Sequence, residues 1–293
     1  MLKNIAIFTV GIISLAMASI LVKFCTDVPS AMIAVYRLTL SSIFLIILYK
    51  IRGYTFTNIG KKEFYLSILS GFILALHFVS WFASLKLTSV ASSVVLVTTN
   101  PLFVGVFSVI FLKEKLQKEI IIGIILSIIG STILAVGDSG LKGLSIQDTN
   151  ALYGDLLALF GAICASCYLL VGSKVREKLD IVTYVTLAYT ASAVFLIIYA
   201  LLLGLSFTGY KVGSYVSMLM LAIFPQLIGH TAVNWSLKHL KPSMVAIGIL
   251  GEPIGATILA YFIFNETIDL YKTLGICLIF ISIIIASRKG VKG

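Results

Sequence analysis

Runs of about twenty apolar residues follow one another along this sequence, with short polar breaks between them. In hydrocarbon every backbone N–H and C=O must find its partner within the chain, so runs of this length fold as membrane-spanning helices. A transmembrane barrel would show segments of about ten residues with alternating polarity instead. Ten spans are predicted, at 4–23, 30–50, 63–85, 90–112, 119–137, 151–172, 181–204, 213–237, 243–264 and 270–287. Charged residues make up 12% of the chain and hydrophobic ones 59%, against roughly 25% charged in soluble domains. The expected fold class is therefore all-α integral membrane. Only 51–62 and 138–150 form sizeable loops, and neither is long enough for a soluble domain.

The net charge of +10 is spread along the chain rather than gathered on one face or tail. Nucleic acid is not an expected partner, and the lipid bilayer is. Basic residues concentrate on the cytoplasmic side of membrane proteins. With the N-terminus inside, sixteen Lys and Arg fall on the inner side and five on the outer, with Arg37 inside a span. Both termini are thus expected in the cytoplasm, with the chain crossing the cell membrane many times. The first span has signal-peptide-like features, with Lys3 and Ala16-Met17-Ala18, but the repeat described next requires it as a retained helix. Of the four cysteines, Cys164 and Cys167 have a CxxC spacing without other metal or redox signals; they read as small packing residues.

The sequence repeats itself. Ser-Leu-Lys occurs at 84–86 and at 236–238, an offset of 152. At the same offset Pro101 meets Pro253, Glu114 meets Glu266 and Gly123 meets Gly275. F-L-I-I-L-Y at 44–49 echoes F-L-I-I-Y-A at 195–200. The chain reads as a five-helix unit at 1–137, a connecting loop at 138–150, and a second five-helix unit at 151–293. Five is odd, so the second copy enters the membrane inverted. The charges agree: K-E-K-L-Q-K at 113–118 is basic, and its counterpart N-E-T-I-D at 265–269 is acidic. Inverted repeats of this kind are an architecture of secondary transporters.

The run S-L-K-L-T-S-V-A-S-S-V-V-L-V-T-T-N-P-L-F-V, followed by F-L-K-E-K-L, resembles the EamA-type unit of the drug/metabolite transporter superfamily. G-E-P-I-G-A-T-I-L-A-Y-F-I-F-N-E-T-I resembles the matching segment of the second unit, where the Glu-Pro pair is typical. The resemblance extends over the whole chain. It implies a ten-helix fold with an internal cavity, and activity on small organic solutes such as amino acids, related metabolites and cationic toxicants. Two places depart from the usual pattern. K-E-K stands where a Gly-Glu-Arg-like turn is common, and N-E-T where Gly-Glu is common.

Ionisable and polar residues inside spans are the candidate site, because they are costly unless partnered or hydrated. Glu252 lies about 14 Å from the inner edge of its span and Asn100 about 15 Å from the outer edge. Each precedes a proline, Pro253 and Pro101, which removes a backbone donor and weakens the helix before it. Glu252 reads either as a binding or proton-coupling carboxylate or as a structural one. Gln226, His230 and Asn234 are spaced by four, which on an α-helix is one face. They read as cavity lining with a protonatable histidine, or as interhelical hydrogen-bonding glue. His77, Trp81 and Ser84 form a comparable stripe in the repeat counterpart of that span. Trp81 reads equally as an aromatic wall for a solute and as an interfacial residue, and Trp235 reads as interfacial. Arg37, about 10 Å below the outer edge, either captures a substrate carboxylate, pairs with a structural acid, or snorkels outward. Asp155 reads as structural. Small-residue stripes such as Gly123, Ser127, Gly130 and Gly248, Gly251, Gly255 mark close helix packing.

No phosphate-binding loop with lysine, G-x-S-x-G or H-E-x-x-H motif is present. No cofactor or metal is expected, and no enzyme activity. The expected function is secondary transport of a small amphipathic metabolite, an amino acid or related compound, by alternating access and outward. Protons are the candidate coupling ion. An uptake carrier or exchanger of the same fold is the alternative, with a channel-like pathway or an intramembrane enzyme further off.

Overall fold

The computed structural model describes residues 2–55, 59–88, 90–113, 115–139, 149–265 and 268–288. In chain order the helices are α1 Leu2–Lys23, α2 Ser30–Ile51, α3 Lys61–Leu87, α4 Val90–Val97, α5 Asn100–Leu112, α6 Lys118–Ser139 and α7 Thr149–Val175. They continue with α8 Ile181–Leu202, α9 Val212–Leu221, a π-helical segment Ala222–His230, α10 Thr231–Ser236, α11 Pro242–Ile249, α12 Gly251–Phe264 and α13 Leu270–Ser287. Among the described residues, eight stretches are long and apolar enough to cross a membrane, and Asn100–Leu112 is a shorter apolar helix. The expected all-helical, multi-pass architecture is the observed one.

Three expected spans are not single α-helices. The fourth breaks at Thr98-Thr99 into α4 and α5, and the ninth breaks at Leu250 into α11 and α12. Both breaks lie two or three residues before a proline, Pro101 and Pro253, whose rings cannot donate to the preceding turn. At the offset of 152 the two breaks coincide. The break also interrupts the expected continuous face of Gly248, Gly251 and Gly255. The eighth span changes from α to π winding and back, with Pro225 inside the π segment.

Helix ends follow local chemistry. Asp180 caps α8 by accepting from Thr183 N at 3.0 Å, and Asp269 caps α13 by accepting from Lys272 N at 2.8 Å. At the other end, α5 and α12 finish on residues in the left-handed region, Lys113 (φ 55) and Asn265 (φ 54). Their N–H groups donate to Ser108 O and Ala260 O respectively. These two caps are also 152 residues apart, so the duplication is visible in backbone geometry. Glu114 and Glu266, which the repeat also aligns, lie outside the described residues, as do residues 140–148 of the expected 138–150 loop, whose ends belong to α6 and α7.

The chain forms two compact units, Met1–Val79 with Val171–Lys238, and Ser80–Leu170 with His239–Gly293. Each unit draws on both halves of the sequence. In the first, α2 packs along α8, and α1 packs along the π segment and α10. Its closed core includes Met32, Leu38, Phe78, Tyr184, Tyr189 and Leu196. In the second, α6 and α13 make the most extensive pair and α5 packs on α11. The α2–α8 and α6–α13 pairs each join a helix to its own repeat counterpart.

The α6–α13 seam shows how glycine permits this. A Cβ on Gly123 would lie 3.0 Å from Ala286 Cβ, one on Gly130 3.0 Å from Ile279 N, and one on Gly275 2.7 Å from Leu134 N. As the α6 index rises the α13 index falls, so the two helices run antiparallel. Gly123 and Gly275 are repeat counterparts, and so are Leu134 and Ala286. The seam is therefore symmetric, and it has the sense that inverted repeats require. With little hydrophobic drive between helices in lipid, such close backbone approach supplies the packing energy.

Candidate functional site

The first unit holds a buried polar network centred on the π segment. Arg37 on α2 is 2% exposed and Gln226 is fully buried. Arg37 Nε donates to Gln226 Oε1 at 2.7 Å. The guanidinium carbon sits 4.8 Å from the centroid of the Phe78 ring, a cation–π contact. A charge-assisted hydrogen bond contributes about 1.5–3 kcal/mol and the ring about 0.5–2 kcal/mol. Together they offset much of the several kcal/mol needed to take a guanidinium out of water. Outward snorkelling, one of the expected alternatives for Arg37, does not occur.

Phe78 meets His230 edge-on at 5.9 Å and lies beside His77 at 5.1 Å. Asn234 is fully buried and donates through Nδ2 to His230 O at 2.8 Å and to the Tyr189 hydroxyl at 3.3 Å. Tyr189 also meets Thr231 Oγ1 at 3.4 Å. Arg176, just beyond α7, donates Nε to Asn234 O at 3.2 Å. Polar contacts thus continue along the eighth span from Arg37 to the loop after α7. The expected stripe of Gln226, His230 and Asn234 is brought into one network, but not by a regular α-helical face. Gln226 and His230 lie in the π segment and Asn234 in α10. The Thr231 N–H donates to Gln226 O, five residues back. Such π insertions occur frequently at functional sites.

Tyr189, Phe78, Thr231 and Arg176 complete this network and were not among the expected site residues. One signal existed for Tyr189. The offset of 151 between the second and seventh spans places it next to the counterpart of Arg37.

Trp235 lines an open apolar groove of about 400 Å³ on the first unit, with Ala6, Ile7, Val10, Ile181 and Ile228. Thr231, whose hydroxyl meets Tyr189, lines the same groove.

The second unit holds Trp81, Asn100 and Glu252. Asn100 is buried and starts α5; its backbone oxygen accepts from Ser166 Oγ at 3.1 Å, and its Oδ1 is buried without a hydrogen-bond partner among the described residues. Glu252 is half-buried in the first turn of α12, where the helix macrodipole favours a carboxylate. Trp81 is half-buried, with its indole 5.2 Å from the Phe82 ring. Ser84, on the same stripe, is buried and pairs with Ser93. Asp155 accepts from Thr88 Oγ1 at 2.7 Å, in keeping with its structural reading. Among the described residues no three His, Cys, Asp or Glu side chains gather to hold a metal ion.

A family model described as EamA-like transporter family matches residues 2–136 and 152–288. An uncharacterized transporter of Archaeoglobus fulgidus is 24% identical over 74% of this chain and 73% of its own length. A second, from Clostridium kluyveri, is 27% identical over 68% of this chain and 63% of its own length. The uncharacterized transporter YxxF of Bacillus subtilis is 24% identical over 87% of this chain and 80% of its own. A crystal structure superposes with a TM-score of 0.82 over 98% of this chain and 97% of that one, at 16% identity, which speaks to fold alone.

Proposed function

We infer that this chain, which belongs to the EamA-like transporter family, is a secondary transporter that exports a small amphipathic metabolite, an amino acid or related compound. Alternating access is the proposed mechanism. The two repeats, read as 1–137 and 151–293 joined by 138–150, are its working halves, with both termini in the cytoplasm. The observation that carries this reading is the matched pair of helix breaks before Pro101 and Pro253. Discontinuous helices that expose backbone groups and half-helix ends inside the membrane are how secondary transporters build substrate and ion sites. Glu252, beside one break, is the titratable group suited to exchange a coupling proton, with His77 and His230 as the other protonatable candidates. A proton that binds one conformation better than the other biases the equilibrium between them.

Reconstitution in liposomes tests this. Saturable counterflow is expected for the wild type, together with uphill flux driven by a pH gradient. Glu252→Gln should lose the gradient-driven component and keep counterflow. If Glu252→Gln, His77→Ala and His230→Ala all leave flux and its pH dependence intact, proton coupling at these residues is wrong.

A further inference from the structure

We propose that the open groove on the first unit holds one acyl chain of an anionic phospholipid, with Lys238 meeting its phosphate. The groove has a structural cause. A Cβ on Gly11 would lie 2.6 Å from Ala232 Cβ, and one on Gly229 would lie 2.9 Å from the Leu15 side chain. Residue 11 thus faces 232 and residue 15 faces 229, so α1 and the eighth span run antiparallel and cross closely here. Toward the start of α1 the crossing opens. Ala6 and Val10 become one wall of a cleft of about 400 Å³, and Ile181, the first residue of α8, lines it as well. The floor is Ile228, Thr231, Ala232 and Trp235. Thr231 has its oxygen within 3.4 Å of both the Tyr189 hydroxyl and Gln226 O. From Ile228 to Trp235 the floor is about 10 Å long, an extended shape that suits a chain. Apolar walls left uncovered forfeit their dispersion contacts, and water gains no hydrogen bonds from them. In a bilayer the abundant apolar chain is that of the lipid.

Charge at the mouth selects the headgroup. Lys238 N donates to Trp235 O at 3.2 Å, so Lys238 lies one turn beyond the tryptophan, at the end of the span. It is exposed and makes no ion pair among the described residues. The carboxylates of the adjoining chain are engaged elsewhere. Glu177 pairs with Lys174 at 3.3 Å, Glu63 with Lys178 at 2.7 Å, and Asp180 accepts from Thr183 N at 3.0 Å. Buried Arg176 adds positive charge nearby, held by the carbonyls of Asn234 and Leu179. Tryptophan belongs where chain meets headgroup, and basic clefts between spans take anionic headgroups. A zwitterionic lipid offers the same chain without the net charge to match.

The test titrates the full chain, purified and delipidated in detergent, with three probes read by native mass spectrometry and by melting. These are dioleoyl phosphatidylglycerol, dioleoyl phosphatidylcholine, and glycerol 3-phosphate, which has the phosphate but no chain. Phosphatidylglycerol should bind most tightly and raise the melting temperature most, and glycerol 3-phosphate should do neither. Lys238→Gln should weaken phosphatidylglycerol about fivefold, the loss of one lysine's attraction to an anionic lipid. Ala6→Trp should fill the cleft and lose both lipids. Lys211→Gln, at the other end of the eighth span, should bind as the wild type does. Ala6, Lys211 and Lys238 are exposed, so all three variants should elute as folded species, and the comparison of probes on the wild type needs no variant. Equal binding of the two lipids, a phosphatidylglycerol preference that survives Lys238→Gln, lipid retained by Ala6→Trp, or stabilisation by glycerol 3-phosphate alone would each overturn the proposal. So would a delipidated dimer that Ala6→Trp abolishes, which would assign the groove to a second copy of the chain.

Discussion

A lysine and an asparagine close corresponding helices in a backbone conformation that glycine adopts at less cost. An L-residue in the left-handed region carries about 1–2 kcal/mol of strain, and asparagine less than most. Lys113→Gly should therefore raise stability by about 1 kcal/mol and Asn265→Gly by a smaller amount, read from melting in detergent with transport retained. The family resemblance places glycine near both positions, and the φ values give the physical reason. The seam glycines differ in another way. An added methyl at Gly275 would press on Leu134 N and Gly130 O, which are backbone, at 2.7 and 2.8 Å. At Gly123 it would meet the side chains of Ala286 at 3.0 Å and Ile247 at 3.2 Å. Overpacking of this kind costs about 1–3 kcal/mol. Gly275→Ala is expected near the upper end and Gly123→Ala near the lower, measured as heat-induced loss of the monodisperse species.

At the scale of elements, the apolar runs were enough to read the spans, because lipid leaves a long apolar segment no alternative to a helix. The breaks at Thr98-Thr99 and Leu250 were foreshadowed by Pro101 and Pro253. The π winding at 222–230 was not. Pro225 marks a disturbance, but an apolar stretch reads alike whether its bonds reach back four residues or five. The Arg37–Gln226 contact was also beyond reach. Each residue was legible as a buried polar group, yet nothing in the sequence said that α2 lies against the π segment. Tyr189 and Thr231 are unremarkable residues of apolar spans until the fold joins them to Asn234.

A second junction joins the α1–α2 turn to the start of α9. Asp27 accepts from Lys211 N at 2.6 Å and from Ser214 Oγ. Those hydrogen bonds favour the ionised form and hold its carboxyl below the ordinary value of 3.8. A group with a depressed folded pKa stabilises the fold above its unfolded value and loses that contribution as pH falls through the folded value. Wild type should melt above Asp27→Asn at neutral pH. The gap should close as the pH drops below 3.8; a gap that persists there would rule out this carboxylate as its source.

For the whole molecule, the sequence halves and the compact units are different divisions. Each unit takes helices from both halves, so neither half contains the packing partners it needs. Residues 1–139 and 149–293 produced separately should each fail to give a stable membrane species. Co-expressed, they should recover a folded complex that co-purifies through a tag on one of them. The antiparallel seam of α6 and α13 has a further consequence. Residue 123 faces 286 while 134 faces 275, so each side of the contact is a copy of the other. Such a contact is isologous, the geometry of a two-fold dimer. A lone five-helix unit bearing this face would meet an upside-down copy of itself through the same pairing of glycine with bulk. The surface that now holds one chain together is therefore one that a single, unduplicated gene product could already have used to dimerise.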